Sequence, residues 1–143
     1  MNHDLAQPVV VSLLNRILRL LSRSLPMYLV EARPWSGGDT SRAQSALARL
    51  AADQQRLARR VAEAIARHGG QPEPGPFPSE FGSLNDVDLA YLLGEILRQL
   101  RADAEVLQHC ADELAIAPDA RALAEEVLGS TQAHIDMLEE IVA

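Results

Sequence analysis

Apolar residues recur at three- and four-residue spacing through four long stretches of this chain, the signature of helices that bury one face. The first stripe is Leu14, Ile17, Leu18, Leu21, Leu25, Tyr28 and Leu29. Pro8 stands at its start, and the pattern predicts a helix over about 9–32. Pro26 falls inside that stripe and must kink the helix or end its first portion. Because Tyr28, Leu29 and Ala32 continue the face, a kinked but continuous helix is the expectation. Leu47, Leu50, Gln54, Leu57, Val61, Ile65 and His68 outline the second helix, over about 40–68, and Gly69-Gly70 ends it. The third, about 84–116, carries Leu89, Leu92, Leu93, Ile96, Leu97, Leu100, Ala104, Leu107, Ala111 and Leu114. The fourth, about 119–142, carries Leu123, Val127, Leu128, Thr131, His134, Ile135, Leu138 and Ile141. Gly129 interrupts the last helix at a cost of about 1 kcal/mol relative to alanine, which a close helix crossing would explain.

Between the second and third stripes, residues 69–83 are rich in proline and glycine and exclude a helix or a central strand. Neither half of the chain can bury its stripe alone, so this segment is a crossover within one domain, residues 1–143, and not a domain linker. Phe77 and Phe81, the only phenylalanines, are expected to pin it to the bundle. Trp35, the only tryptophan, reads as a lid over one end of the core, with an exposed binding residue as the alternative.

Composition agrees with an all-α domain. Apolar residues make up 48% and aromatics 3%, so leucine and alanine dominate. The net charge of −7 hides an asymmetry: residues 1–70 hold ten arginines against five acids, and residues 71–143 three arginines against fifteen acids. In an antiparallel bundle the two halves lie side by side and much of this charge pairs internally. No basic face points to nucleic acid. Arginines interrupt the apolar start of the chain and no basic segment precedes it, so neither a signal peptide nor a membrane span is expected, and a cytoplasmic location follows by elimination. Cys110 has no cysteine to pair with, and His109 beside it points elsewhere on a helix. A site assembled from Glu95, Glu105, His109 and Glu126 is conceivable, but their spacing does not force convergence.

Several segments resemble the ferritin-like superfamily, in particular the bacterioferritin and rubrerythrin type of four-helix bundle. His134-Ile135-Asp136-Met137-Leu138-Glu139 is similar to the family's last helix, where a metal-binding histidine precedes a similar sequence. Tyr28-Leu29-Val30-Glu31-Ala32-Arg33 is similar to the tyrosine-rich end of its first helix. Leu57-Ala58, Ile65, Gly69-Gly70 and Pro72 are similar to the stretch where a histidine and alanine precede an isoleucine, a glycine turn and a proline. The resemblance implies a ferritin-like four-helix bundle with a long crossover between its second and third helices. It also implies a dimetal centre built from a glutamate on each of two helices and Glu-x-x-His on each of the others.

At those positions this chain has Leu21, then Gln54 and Leu57, then Gln99, then Thr131 and His134. If the third helix is shifted by one, Arg98 replaces Gln99. Leucine does not coordinate metal, and neutral glutamine or threonine does not neutralise two buried cations. Only His134 keeps a ligand-type side chain, which leaves it as a single-site candidate. The methionine that holds haem in the family is Gln55 here. The expectation is therefore a degenerate metal site without cofactor or catalytic residues, in which Gln54, Gln99, Thr131 and His134 form a polar layer. The leading functional reading is a non-catalytic structural or interaction protein, more a scaffold than an enzyme, with an unidentified protein partner as an option. Leu13, Leu20 and Val30, off the main stripe of the first helix, suggest a homodimer. The alternatives are a metalloprotein with a relocated site, with or without oxidase activity, and a small-molecule binder using the space between the helices.

Overall fold

A computed structural model describes residues 3–32, 41–84 and 88–142, and among them the regular structure is helical. The helices are α1 (His3–Ser22), α2 (Leu25–Ala32), α3 (Ser41–Arg67), α4 (Leu89–Glu113) and α5 (Pro118–Val142). Short 3-10 turns lie at Ser79–Leu84 and Leu114–Ile116. Arg33 and Trp35 lie outside the described residues, as do the side chains of Val30, Glu31 and Ala32.

The first stripe is two helices, not one kinked helix. It begins at His3, with Pro8 inside α1, where the missing N–H removes one bond near a helix end. Arg23 N–H donates to Arg19 O to close α1, and the chain restarts at Leu25. Ser24 makes the restart possible: its Oγ accepts from Met27 N–H at 3.2 Å, and its carbonyl accepts the first α2 bond from Tyr28 N–H. Pro26 then occupies the first turn of α2, where no backbone donor is required. A helix running through this point would have needed the proline N–H that does not exist.

At the end of α3, Gly70 N–H reaches Ile65 O at 2.9 Å and Gly69 N–H reaches Ala66 O at 3.0 Å, the paired bonds of a Schellman cap. Gly69 adopts φ +82°, a backbone that L side chains resist. Gly70 is glycine for a different reason. A Cβ there would collide with the Val11 side chain of α1. Gly129, by contrast, is exposed with open space where a Cβ would sit, so no close helix crossing accounts for it.

The principal contacts pair α4 with α5 and α1 with α3, and then join α3 to α5 and α1 to α4. Paired side chains give the directions. Asp53 meets His134, Arg60 meets Glu126 and His68 meets Asp119, so α3 and α5 are antiparallel. The connection from α3 to α4 climbs beside α1 and α2. Asn15 holds it at Gln71 and Glu73, Arg23 lies against Gly75, and Tyr28 packs on Phe77 and Phe81. The two phenylalanines thus do pin the connection, with ring centroids 5.4 and 5.6 Å from Tyr28.

The interior is two apolar clusters stacked along the bundle. One gathers Leu14, Ile17, Leu21, Leu57, Ile65, Leu107 and Leu114; the other gathers Leu25, Leu29, Leu47, Leu50, Leu92, Ile96, Leu100 and Leu138. On each helix the change from one cluster to the other falls at a buried polar residue: Ser24, Gln54, Asp103, and Thr131 with His134. Part of the charge asymmetry is paired between the two halves, since Arg56 and Arg60 of α3 meet Glu126 of α5. Among the described residues no helix is long and apolar enough to cross a membrane.

Candidate functional site

The mid-bundle polar level is where the sequence places its site, and each position can be followed. Leu21 is 3% exposed and Leu57 1%, both inside the first apolar cluster. Gln54, 6% exposed, accepts a 2.6 Å hydrogen bond from the Ser24 hydroxyl through Oε1. Its carbonyl oxygen is therefore committed to the residue that caps α2. Thr131 Oγ1 donates to Val127 O one turn back, at 2.9 Å, which satisfies the hydroxyl within its own helix. His134, 6% exposed, pairs Nε2 with Asp53 Oδ2 at 2.7 Å across the α3–α5 seam.

Gln99 is the exception. It is exposed, and its Nε2 donates to Asp103 Oδ1 at 3.3 Å. The inward positions of α4 run Ile96, Leu100, Asp103 and Leu107, so the α4 member of the polar level is Asp103, one turn beyond Gln99. Arg98 is exposed and bonded to Glu95, so a shift of one residue does not reach the interior either.

Asp103 and Asp53 are the residues that periodicity missed. Asp103 carried a readable signal, because a lone acid three residues after Leu100 and four before Leu107 interrupts an apolar stripe. Asp53 carried none. It sits beside Gln54 on the edge of α3 and gains meaning only when α5 brings His134 to it. The bonds do not knit the level into one network. Ser24 with Gln54, Asp53 with His134, Gln99 with Asp103, and Thr131 with its own helix are separate local solutions. Burial pushes the Asp103 carboxyl up to about 6, a rise that the Gln99 amide partly counters.

As a dimetal centre, this donor set does not fit. Its residues in the matched positions supply one imidazole and no carboxylate, whereas two adjacent cations need anionic ligands to offset their charge in a low-dielectric interior. Among the described residues, no three His, Cys, Asp or Glu side chains are grouped so as to hold a metal ion. The acids considered as an improvised site are dispersed too. Glu95 pairs with Arg98, Glu126 with Arg56 and Arg60, and His109 with Glu113. Cys110 is fully buried, and that burial pushes its thiol up and away from the reactive thiolate.

Two further polar features stand out, one at an end of the bundle and one on the outer side of that level. At one end of the bundle, His68 bonds Gln7 Oε1 through Nδ1 at 2.8 Å and Asp119 Oδ2 through Nε2 at 3.0 Å, tying together α1, α3 and α5. On the flank between α1, α4 and the connection there is a cavity of about 330 Å³. Arg16, Arg19, Leu20 and Arg23 of the α1 segment, Ser24 and Leu25 at the start of α2, Pro78, Glu80 and Phe81 of the connection, and Gln99 and Asp103 of α4 line it.

A scan against protein-family models finds no match, and no curated protein matches the chain in sequence.

Proposed function

We propose that this chain is a ferritin-like bundle whose metal site has become part of the core, and that it serves as a non-catalytic structural or interaction module in the cytoplasm. The observation that carries this reading is the packing of Leu21 and Leu57, which are 3% and 1% exposed where the resemblance calls for metal ligands. Burial of two leucines contributes about 1.5–3 kcal/mol each, a gain that ligand side chains at the same points would forgo. The arrangement of the helices supports the ferritin-like part. In a simple up-and-down bundle each helix neighbours the next. Here α1 borders both α3 and α4, α5 borders both as well, and the α3–α4 connection runs beside α1 and α2 from Val11 to Tyr28.

Homodimerisation belongs to the same proposal, although Leu13, one residue that suggested it, is used inside the chain's own core. Aerobic addition of ferrous iron to the purified protein, with metal content measured after desalting, tests the non-catalytic reading. The expected result is oxidation at the protein-free rate and no retained iron. Accelerated oxidation with two irons retained per chain would restore the metalloprotein. Light scattering at micromolar concentration reads the mass: twice the chain supports the dimer, and the single-chain mass removes it.

A further inference from the structure

We propose that the cavity between α1, α4 and the α3–α4 connection binds a small organic anion with an apolar body, held through the guanidinium groups of Arg16, Arg19 and Arg23. This goes beyond the proposed module function and does not depend on it, since the cavity lies on the flank of the bundle and, of the positions matched to metal ligands, takes in only the exposed Gln99.

Charge is the first argument. The chain carries a net charge of −7, yet three guanidiniums and only two carboxylates, Glu80 and Asp103, line this cavity. Elsewhere Arg56, Arg60, Arg98, Arg101 and Arg121 each face a carboxylate, while Arg42, Arg49, Arg59 and Arg67 stand apart from this cavity. Among the described residues, Arg16 and Arg23 have no such partner, and Arg19 reaches only the Glu73 carbonyl, at 3.5 Å. A cleft with low-dielectric walls concentrates such a field, and the planar guanidinium fork matches a carboxylate or phosphate in two parallel hydrogen bonds.

Shape is the second. A volume of about 330 Å³ lies at the lower end of the range for small-molecule pockets, about 300–1,000 Å³. Leu20, Leu25 and Phe81 supply apolar wall, which a bare inorganic anion would leave unused.

The third argument is that two of the lining groups are held against their own preference. Arg23 has its Nε enclosed without an acceptor, and Asp103 is a carboxylic acid only 6% exposed. Polar groups held at a cost to stability in the wall of a cleft are a feature of binding sites. Asp103 lies at the inner end of the cavity and Arg16, exposed, at its rim. A bound anion would meet favourable charge from α1 and, when Asp103 is ionised, unfavourable charge from α4.

That opposition gives the test. Phenylacetate and phenyl phosphate are titrated into the full-length protein at millimolar concentration, followed by calorimetry and amide NMR, beside neutral phenylacetamide. The expected result is shifts centred on Arg23, Leu25 and Phe81, with at least one anion binding tenfold or more tighter than the amide. Comparison of the two anions tells whether carboxylate or phosphate is preferred. Arg23→Gln should weaken the anion at least tenfold, and Arg16→Gln, at the exposed rim, should weaken it severalfold. Asp103→Asn should tighten it severalfold at pH 7.5. Folding damage does not produce opposite signs on two walls of one cavity. Equal binding of the amide, no shift with either anion, or weakening by both Arg23→Gln and Asp103→Asn would overturn the proposal.

Discussion

Replacing Asp103 by asparagine should stabilise this protein, and by an amount that depends on pH. The carboxyl is buried on the inward face of α4 with the Gln99 amide as its hydrogen-bond donor. Burial lifts it from its ordinary 3.8 to about 6. The sign follows from linkage. An acid that holds its proton more tightly in the folded state favours folding at low pH, and that advantage disappears as pH rises through the native value. Each pK unit between the two states corresponds to about 1.4 kcal/mol, so ionising Asp103 in place costs about 3 kcal/mol by pH 7.5. Against a total stability of about 5–15 kcal/mol, that is a large fraction. Asparagine keeps the volume and an acceptor oxygen for Gln99 while removing the charge. Urea unfolding of both proteins from pH 4 to pH 7.5 is the assay. The difference, variant minus wild type, should lie near zero at pH 4 and grow to about 2–3 kcal/mol in favour of asparagine at pH 7.5. A difference that stays constant across this range would refute the reasoning, because only a titrating buried carboxyl produces the slope.

Other substitutions test other joints of the structure. Asn15 clips the connection by donating to Gln71 O and accepting from Glu73 N–H, so Asn15→Ala should cost about 1–3 kcal/mol and speed hydrogen exchange at the Glu73 amide. Gly70→Ala should destabilise by about 1–3 kcal/mol through the clash with Val11 and be partly rescued by Val11→Ala, whereas Gly129→Ala, in open space, should stabilise by up to about 1 kcal/mol; thermal midpoints rank all three. At Asp119, partial burial opposes ionisation but is outweighed by the hydrogen bond from His68, the backbone N–H groups and the His68 charge, so the carboxyl titrates below its ordinary 3.8. Its contribution is present above that value and lost as pH falls further, and in His68→Ala the Asp119 carboxyl carbon should titrate closer to 3.8 by NMR.

How far the fold could be read in advance follows from what periodicity encodes. Long amphipathic stripes and a proline-rich interruption identify helices and the connection between them, since both are local properties of the chain. The break at Ser24 was less legible. Pro26 announces a disturbance, but whether the helix bends or restarts depends on Ser24 finding both Met27 N–H and Gln54 Oε1, and the second of these is thirty residues away. The same holds at the site. Leu21 and Leu57 read as core because their chemistry allows little else. Gln99 misled because it matches a family position while its helix presents Asp103 inward, an orientation set by packing against α1 and α5 and not by any local pattern. Gly129 has no physical account in the structure, where the close crossing expected of it is absent.

The central claim is that the middle of this bundle is closed to a pair of metal ions. Crystals grown with ferrous iron and measured at the iron absorption edge test it most directly. The account predicts no anomalous density between Leu21, Gln54, Leu57, Thr131 and His134. Two anomalous peaks a few ångströms apart at that level, with His134 turned from Asp53 toward one of them, would contradict it.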